Sequence, residues 1–267
     1  MAGLVSIDMA GPEDAPAHVV VLTMCHAEKR NCLSADLLAE LQSGIDSAEQ
    51  EGARAVIIRA EPGVGTWSSG YSIDALPRDG TDPLTWTNPL EGFLHRLRQA
   101  PFAVIAAVEG GVWGGACELV LTCDLVVAVE SATFALTPAR LGVPYNTAGV
   151  AHVLSALPLN VAKELFFAAD PMSAHDWRGY GVVNRVVADA GELDRTARDL
   201  ALRIAERAPL TVRAVKAEIA ALTDARSLTS DDFERLTELR RAAWTSEDYQ
   251  EGVSAFLEKR SPRFEGR

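Results

Sequence analysis

Phe102-Ala103-Val104-Ile105-Ala106-Ala107-Val108, followed without a break by Glu109-Gly110-Gly111-Val112-Trp113-Gly114-Gly115-Ala116-Cys117-Glu118, carries the decisive pattern of this chain. An apolar run of strand length ends in a glycine turn, and the turn opens into a segment that reads as a helix. A second stretch, Trp67-Ser68-Ser69-Gly70-Tyr71-Ser72-Ile73, has the same look of a strand running into a helix. Each turn can offer backbone N–H groups to one developing negative charge, which is how an oxyanion hole is built. Glycines at such turns can also serve backbone geometry alone.

Outward from these stretches, strand-like runs alternate with amphipathic segments. His18 to Met24 and Ala55 to Ala60 read as buried strands. Between them Ser34 is placed to cap a helix carrying Leu37, Leu38, Leu41, Ile45 and Ala48 at helical spacing. Leu90, Phe93, Leu94 and Leu97 mark a second helix that stops at Pro101. Asp124 to Val129 and Gly181 to Val187 supply two further strands, and the repetition predicts an α/β architecture with mostly parallel pairing. From Glu192 the chain reads as helical, with Leu193, Ala197, Leu200 and Ile204 on one stripe and Pro209 before the next helix. Ser230-Asp231-Asp232 and Ser246-Glu247-Asp248 place caps and acids at two more helix starts, leading Phe233/Leu236/Leu239 and Tyr249/Val253/Phe256 stripes. The division expected is a core over 1–191 and a helical region over 192–267 suited to subunit contacts.

Composition sets limits. The 267 residues are 48% hydrophobic, enough to bury a full core. A net charge of −12 argues against nucleic acid and anionic membranes as partners. Cys25, Cys32, Cys117 and Cys123 show neither metal-site nor disulfide spacing; they read as four buried thiols in a cytoplasmic protein. Met1 to Gly11 lacks the apolar run of a signal peptide. Val104 to Val129 is broken by Glu109, Glu118 and Asp124, which excludes a membrane span there.

The chain has no P-loop, G-x-G-x-x-G, H-E-x-x-H or G-x-S-x-G signature. His18, His26, His95, His152 and His175 are scattered. Ser68 and Ser69 therefore have no nominated base, and neither reads as a nucleophile.

In order and spacing, several segments together resemble the crotonase (enoyl-CoA hydratase/isomerase) superfamily. They are Glu28-Lys29-Arg30-Asn31-Cys32-Leu33-Ser34, the two glycine stretches, Cys117-Glu118-Leu119 before Cys123-Asp124, Gly181-Val182-Val183-Asn184-Arg185-Val186-Val187 and Ala255-Phe256-Leu257-Glu258-Lys259-Arg260. The resemblance implies a ClpP-like ββα superhelix with a helical C-terminal trimerisation region, assembled as a homotrimer or as a hexamer of two trimers. It also implies an acyl-CoA thioester substrate with no separate cofactor, since CoA is part of the substrate, and no metal. By position, the N–H groups of Tyr71 and Gly115 would form the hole, with Gly70, Ile73, Trp113 and Gly114 around it. Main-chain atoms near Cys32 and Ser69 would hold the adenine, Arg30 or Lys29 would approach the phosphates, and Phe256 and Lys259 would reach the nucleotide from a neighbouring subunit.

Hydratases of the superfamily pair a glutamate at the position of Glu118 with a second some twenty residues on, where this chain has Pro138. Proline has no proton to move, so hydration loses one of its two acid–base groups. Gly142-Val143-Pro144-Tyr145-Asn146, Val112-Trp113-Gly114-Gly115-Ala116, Asp82-Pro83-Leu84 and Ser246-Glu247-Asp248-Tyr249-Gln250-Glu251-Gly252 resemble instead the biotin-independent decarboxylase branch. That branch implies loss of carbon dioxide from a methylmalonyl- or malonyl-type CoA thioester, with Tyr145 on the substrate carboxylate. It commonly carries His and Asp where this chain has Tyr71 and Ser72. Glu118 is compatible with a structural pairing, a protonated state, or retention from a hydratase-like ancestor. Three functions stay open at this point: the decarboxylase, an enoyl-CoA hydratase or isomerase, and a non-catalytic acyl-CoA- or RNA-binding relative.

Overall fold

The computed structural model describes residues 3–10, 19–77, 81–82, 88–223, 234, 237–238 and 241–263. Ten strands are described: β1 (Val5–Ala10), β2 (Val19–Met24), β3 (Ala55–Ala60), β4 (Thr66–Ser68), β5 (Ala103–Val108), β6 (Gly111–Trp113), β7 (Leu125–Val129), β8 (Thr133–Ala135), β9 (Met172–Ser173) and β10 (Arg185–Val187). The helices are α1 (Ala35–Gln50), α2 (Pro89–Gln99), α3 (Gly115–Thr122), α4 (Thr147–Ala156), α5 (Leu159–Phe167), α6 (Ala174–Gly179), α7 (Ala190–Ala205), α8 (Pro209–Thr223) and α9 (Glu247–Leu257).

Strands β1-β2-β3-β5-β7-β10 form the larger sheet and β4-β6-β8-β9 a smaller one. Pairing is parallel from β2 through β10 in the first sheet and from β4 through β8 in the second. Antiparallel β1 closes one edge of the larger sheet and antiparallel β9 one edge of the smaller. The parallel strands are buried on both faces, which is why β2, β3 and β5 read as continuous apolar runs. β3, β5 and β7 are each followed by a short strand of the second sheet before the next α-helix, as β5 leads to β6 and then to α3. This repeated ββα step is the spiral of the crotonase fold.

Several local expectations hold in detail. Ser34 caps α1 by accepting from the Leu37 N–H, and Ser246 caps α9 by accepting from Tyr249. Helix α2 ends at Gln99, two residues before Pro101. Other elements differ. The stretch after Gly70 continues as one 3-10 turn, Ile73–Ala75, where an α-helix was expected; Pro77 follows too soon for a longer helix. The strand expected over Gly181–Val187 starts only at Arg185, because Gly181 sits at φ 88° in a turn. On α7 the buried stripe is Leu193, Ala197, Ala201 and Ala205, so Leu200 and Ile204 lie only half-buried at its margin. Cys117 and Cys123 are buried, but Cys25 and Cys32 are half-buried. The Ser230-Asp231-Asp232 cap and the Phe233/Leu236/Leu239 stripe lie outside the described residues, as do His18 and Pro83-Leu84.

Helix α7 spans the expected division at 191/192 and packs on β3, β5 and β7, pinned by an Arg59–Asp194 ion pair at 2.6 Å. Lys216 holds α8 by donating to the Leu97 and Phe102 carbonyls and to Asp124 Oδ2 at 2.7 Å. Helix α8 buries none of its residues within this chain, and Leu210, Val215, Ile219 and Leu222 stand exposed. Among the described residues no helix is long and apolar enough to cross a membrane.

Candidate active site

The two glycine stretches meet. Gly70 adopts φ 85°, and a β-carbon there would stand 2.3 Å from the Trp113 carbonyl oxygen and 3.3 Å from Gly115 N. Only glycine allows both that conformation and that approach of one backbone to the other. A β-carbon on Gly115 would in turn lie 3.6 Å from Tyr71 N. The Tyr71 and Gly115 amides therefore belong to one small space, although 44 positions separate them in the chain (115 − 71).

Both amides are available. Gly115 opens α3, so its N–H is one of the first-turn donors that a helix leaves without an internal acceptor, at the positive end of the dipole. Tyr71 lies in an isolated bridge to Leu33, in which Leu33 N–H donates to the Gly70 carbonyl. Among the described residues neither the Tyr71 nor the Gly115 N–H donates to a protein acceptor. The Tyr71 side chain turns toward Asn88, whose own Oδ1 accepts from Leu90 N to cap α2.

These amides face a cavity of about 530 Å³. Arg30, Ser69, Tyr71, Ile73, Trp113, Gly114, Gly115, Glu118, Tyr145 and Phe256 line it, all of them residues singled out from the sequence. Cys32, Gly70 and Lys259 do not. Gly70 stands behind the wall, against the Trp113 backbone. The Cys32 thiol engages Ser69 and Ser72, and burial pushes its pKa up. Lys259 is exposed beyond the end of α9. Phe256 was expected to serve a neighbouring subunit, yet here it lines its own chain's cavity, because α9 packs back over the site. The Tyr249 hydroxyl donates to the Pro77 carbonyl at 2.7 Å, and Tyr249 and Val253 pack with Leu76, Tyr71, Ile73 and Val143.

An acid pair also lines the cavity. Glu118, on the first turn of α3, is 4% exposed, and the Tyr145 hydroxyl donates to its Oε1. Burial, the largest cause, pushes the Glu118 carboxyl up to about 7; the Tyr145 hydrogen bond acts the other way. Burial and the adjacent Glu118 charge push the Tyr145 hydroxyl well above its ordinary value. The Tyr145 ring stacks edge-on against Phe166 with centroids 5.1 Å apart. Pro138 also lines the cavity, so no second carboxylate faces Glu118 from that position. Glu91 lines it too, but its Oε1 accepts from Asn146 Nδ2 at 2.7 Å.

Sequence reasoning passed over Asn88, Glu91 and Asn146. The two asparagines carried a signal, since each directly precedes a helix and caps it, Asn88 before α2 and Asn146 before α4. Glu91 carried none. Among the described residues no group of three or more His, Cys, Asp or Glu is arranged to hold a metal ion.

An α/β spiral with paired backbone amides over a thioester-sized cavity defines an acyl-CoA enzyme of the crotonase type. The enoyl-CoA hydratase/isomerase family pattern matches residues 14–267, and the chain belongs to that family. Over 248 residues it is 38% identical to methylmalonyl-CoA decarboxylase of Escherichia coli (strain K12), covering 93% of this chain and 95% of the relative. A probable enoyl-CoA hydratase of Bacillus subtilis (strain 168) is 31% identical over 253 residues, covering 93% and 95%. The solved structure of a methylmalonyl-CoA decarboxylase with 2-nitronate-propionyl-CoA superposes with a TM-score of 0.95 at 36% identity, covering 100% of both chains. A carnitinyl-CoA hydratase from Mycobacterium avium superposes with a TM-score of 0.80 at 30% identity, again over 100% of both.

Proposed function

We infer that the protein is a carbon–carbon lyase that decarboxylates methylmalonyl-CoA or malonyl-CoA without biotin. The observation that carries this reading is the pair of unengaged amides at Tyr71 and Gly115, facing a cavity that also holds Tyr145 and has Pro138 where hydratases place their second carboxylate. When the bond from Cα to the carboxylate breaks, its electrons delocalise into the thioester and charge moves onto the carbonyl oxygen. Two fixed N–H dipoles meet that charge with no reorganisation, and one such donor is commonly worth ~3 kcal/mol of barrier. The breaking bond must stand perpendicular to the thioester plane, an orientation that a hydrogen bond from Tyr145 to the departing carboxylate would impose. Ile73, Leu76, Leu90, Leu141 and Val143 make the surrounding wall apolar, which suits neutral carbon dioxide better than carboxylate.

The hydratase reading keeps one support, a carboxyl titrating near neutrality in the cavity. Against it, Pro138 stands where a second carboxylate would share proton transfer to and from water. The exposed apolar residues of α8 support a homotrimer, or two stacked trimers, as the working assembly. The four free cysteines support a cytoplasmic enzyme, and the acidic balance speaks against a nucleic-acid partner. Incubation with methylmalonyl-CoA, malonyl-CoA and crotonyl-CoA, followed by mass spectrometry, tests the assignment. Propionyl-CoA or acetyl-CoA with carbon dioxide is expected, and crotonyl-CoA should stay unchanged. Hydration of crotonyl-CoA with the carboxylated thioesters untouched would reverse the order of the two readings.

A further inference from the structure

The Glu118–Tyr145 pair poses a problem of proton count. A phenol has one proton, and Tyr145 spends it on Glu118 when that carboxyl is ionised. A substrate carboxylate arriving on the other side of Tyr145 Oη would then meet only oxygen lone pairs, with a second anion just behind them. The surroundings do little to stabilise that second anion. Helix α2 brings Glu91, which repels it, and Arg98, whose attraction ranks below the burial of Glu118. Strand β6 carries no titratable side chain, α3 itself adds the buried Cys117, and α4 carries His152. Packing also holds the two side chains together: a β-carbon on Gly149 would lie 2.7 Å from both Glu118 Oε2 and Tyr145 Cε1.

We propose that the carboxylated substrate binds the form of the enzyme in which Glu118 is a neutral acid, its O–H donating to Tyr145 Oη so that the Tyr145 hydroxyl donates to the substrate carboxylate. Glu118 is thereby a positioning residue that acts through Tyr145. This gives the buried acid a role in a site where Pro138 replaces the hydratases' second carboxylate. The inference rests on the decarboxylase reading. Its thermodynamic signature is linkage: binding a carboxylate takes up a proton wherever free Glu118 is ionised. With the carboxyl titrating at about 7, free enzyme at about pH 8 is mostly ionised, so uptake should approach one proton per site.

The test is calorimetric titration of the whole enzyme with unreactive 2-carboxypropyl-CoA, at about pH 8, in two buffers of different ionisation enthalpy. Wild type should take up nearly one proton per site. Glu118→Gln, which keeps an N–H to donate to Tyr145 Oη, should bind the analogue with no uptake. Propionyl-CoA, which lacks the carboxylate, should cause little uptake in either protein. In turnover, kcat/KM of wild type should fall about tenfold per pH unit above pH 7, and that slope should be absent in Glu118→Gln. Zero uptake by wild type, or equal uptake by wild type and Glu118→Gln, overturns the inference while leaving the decarboxylase reading intact. An analogue that binds no better than propionyl-CoA, together with inert methylmalonyl-CoA, overturns that reading and this inference with it.

Discussion

In the proposed decarboxylation, two regions of the cavity solve the same electrostatic problem by opposite means. At the thioester end the donors are main-chain amides, held by the fit of Gly70 against the Trp113 and Gly115 backbone. At the carboxylate end the donor is a side chain, and its partner is a buried acid with its own proton equilibrium. The first arrangement tolerates a change of side chain, since Tyr71 contributes its N–H whatever its ring does. The second depends on the identity of two residues and on pH. The lesson is that side-chain departures from relatives matter little at the hole and much around Tyr145.

Breaking the backbone end should cost most. Gly70→Ala places a methyl group 2.3 Å from the Trp113 carbonyl and forces the two loops apart. Decarboxylation should fall by about 100- to 1000-fold in kcat, the usual loss for one oxyanion donor. At the other end, Tyr145→Phe removes the carboxylate's hydrogen bond. A fall of about 10- to 100-fold in kcat/KM is expected, as for a hydrogen bond to a charged group, while propionyl-CoA binding should change little in calorimetry. Gly149→Ala pushes a methyl group between Glu118 and Tyr145; roughly a tenfold loss is expected from that displacement, along with a flatter pH profile.

The smallest kinetic effect belongs to Tyr71→His, which sharpens the comparison because it leaves the amide in place. Its kcat should stay within about threefold of wild type, and a change in acyl preference should appear in KM. Stability offers a further contrast. The Glu118 carboxyl is raised from 4.5 to about 7 in the folded protein, so the unfolded chain ionises first and folding loses stability as pH rises through that window. Thermal melts of wild type and Glu118→Gln should diverge between about pH 5 and about pH 8, the variant gaining relative to wild type. Parallel curves would mean that Glu118 ionises freely when folded.

Much of the core was legible because buried parallel strands write themselves as apolar runs: β3 begins and ends where the sequence suggests, and Ser34 and Ser246 announce their helices. The smaller sheet was not. Its strands are two or three residues long, too short for any period, and they exist only because β4, β6 and β8 pair with one another. At the site, the glycine turns and Tyr145 could be picked out as motifs. The bond from Tyr145 to Glu118 could not, since it joins residues 27 apart through the placement of α3 against the start of α4. The same holds for α9, whose return over its own cavity depends on backbone contact between Leu141 and Gly252, where a β-carbon would come within 2.1 Å of a carbonyl oxygen.

The convergence of two amides on one thioester oxygen can be read from the carbonyl stretch of bound propionyl-CoA labelled at the carbonyl carbon. Isotope-edited infrared difference spectra should show this band at lower frequency than in water, and the shift should vanish in Gly70→Ala. A band at its aqueous position in wild type would contradict the hole at Tyr71 and Gly115, and with it the proposed route to a stabilised enolate.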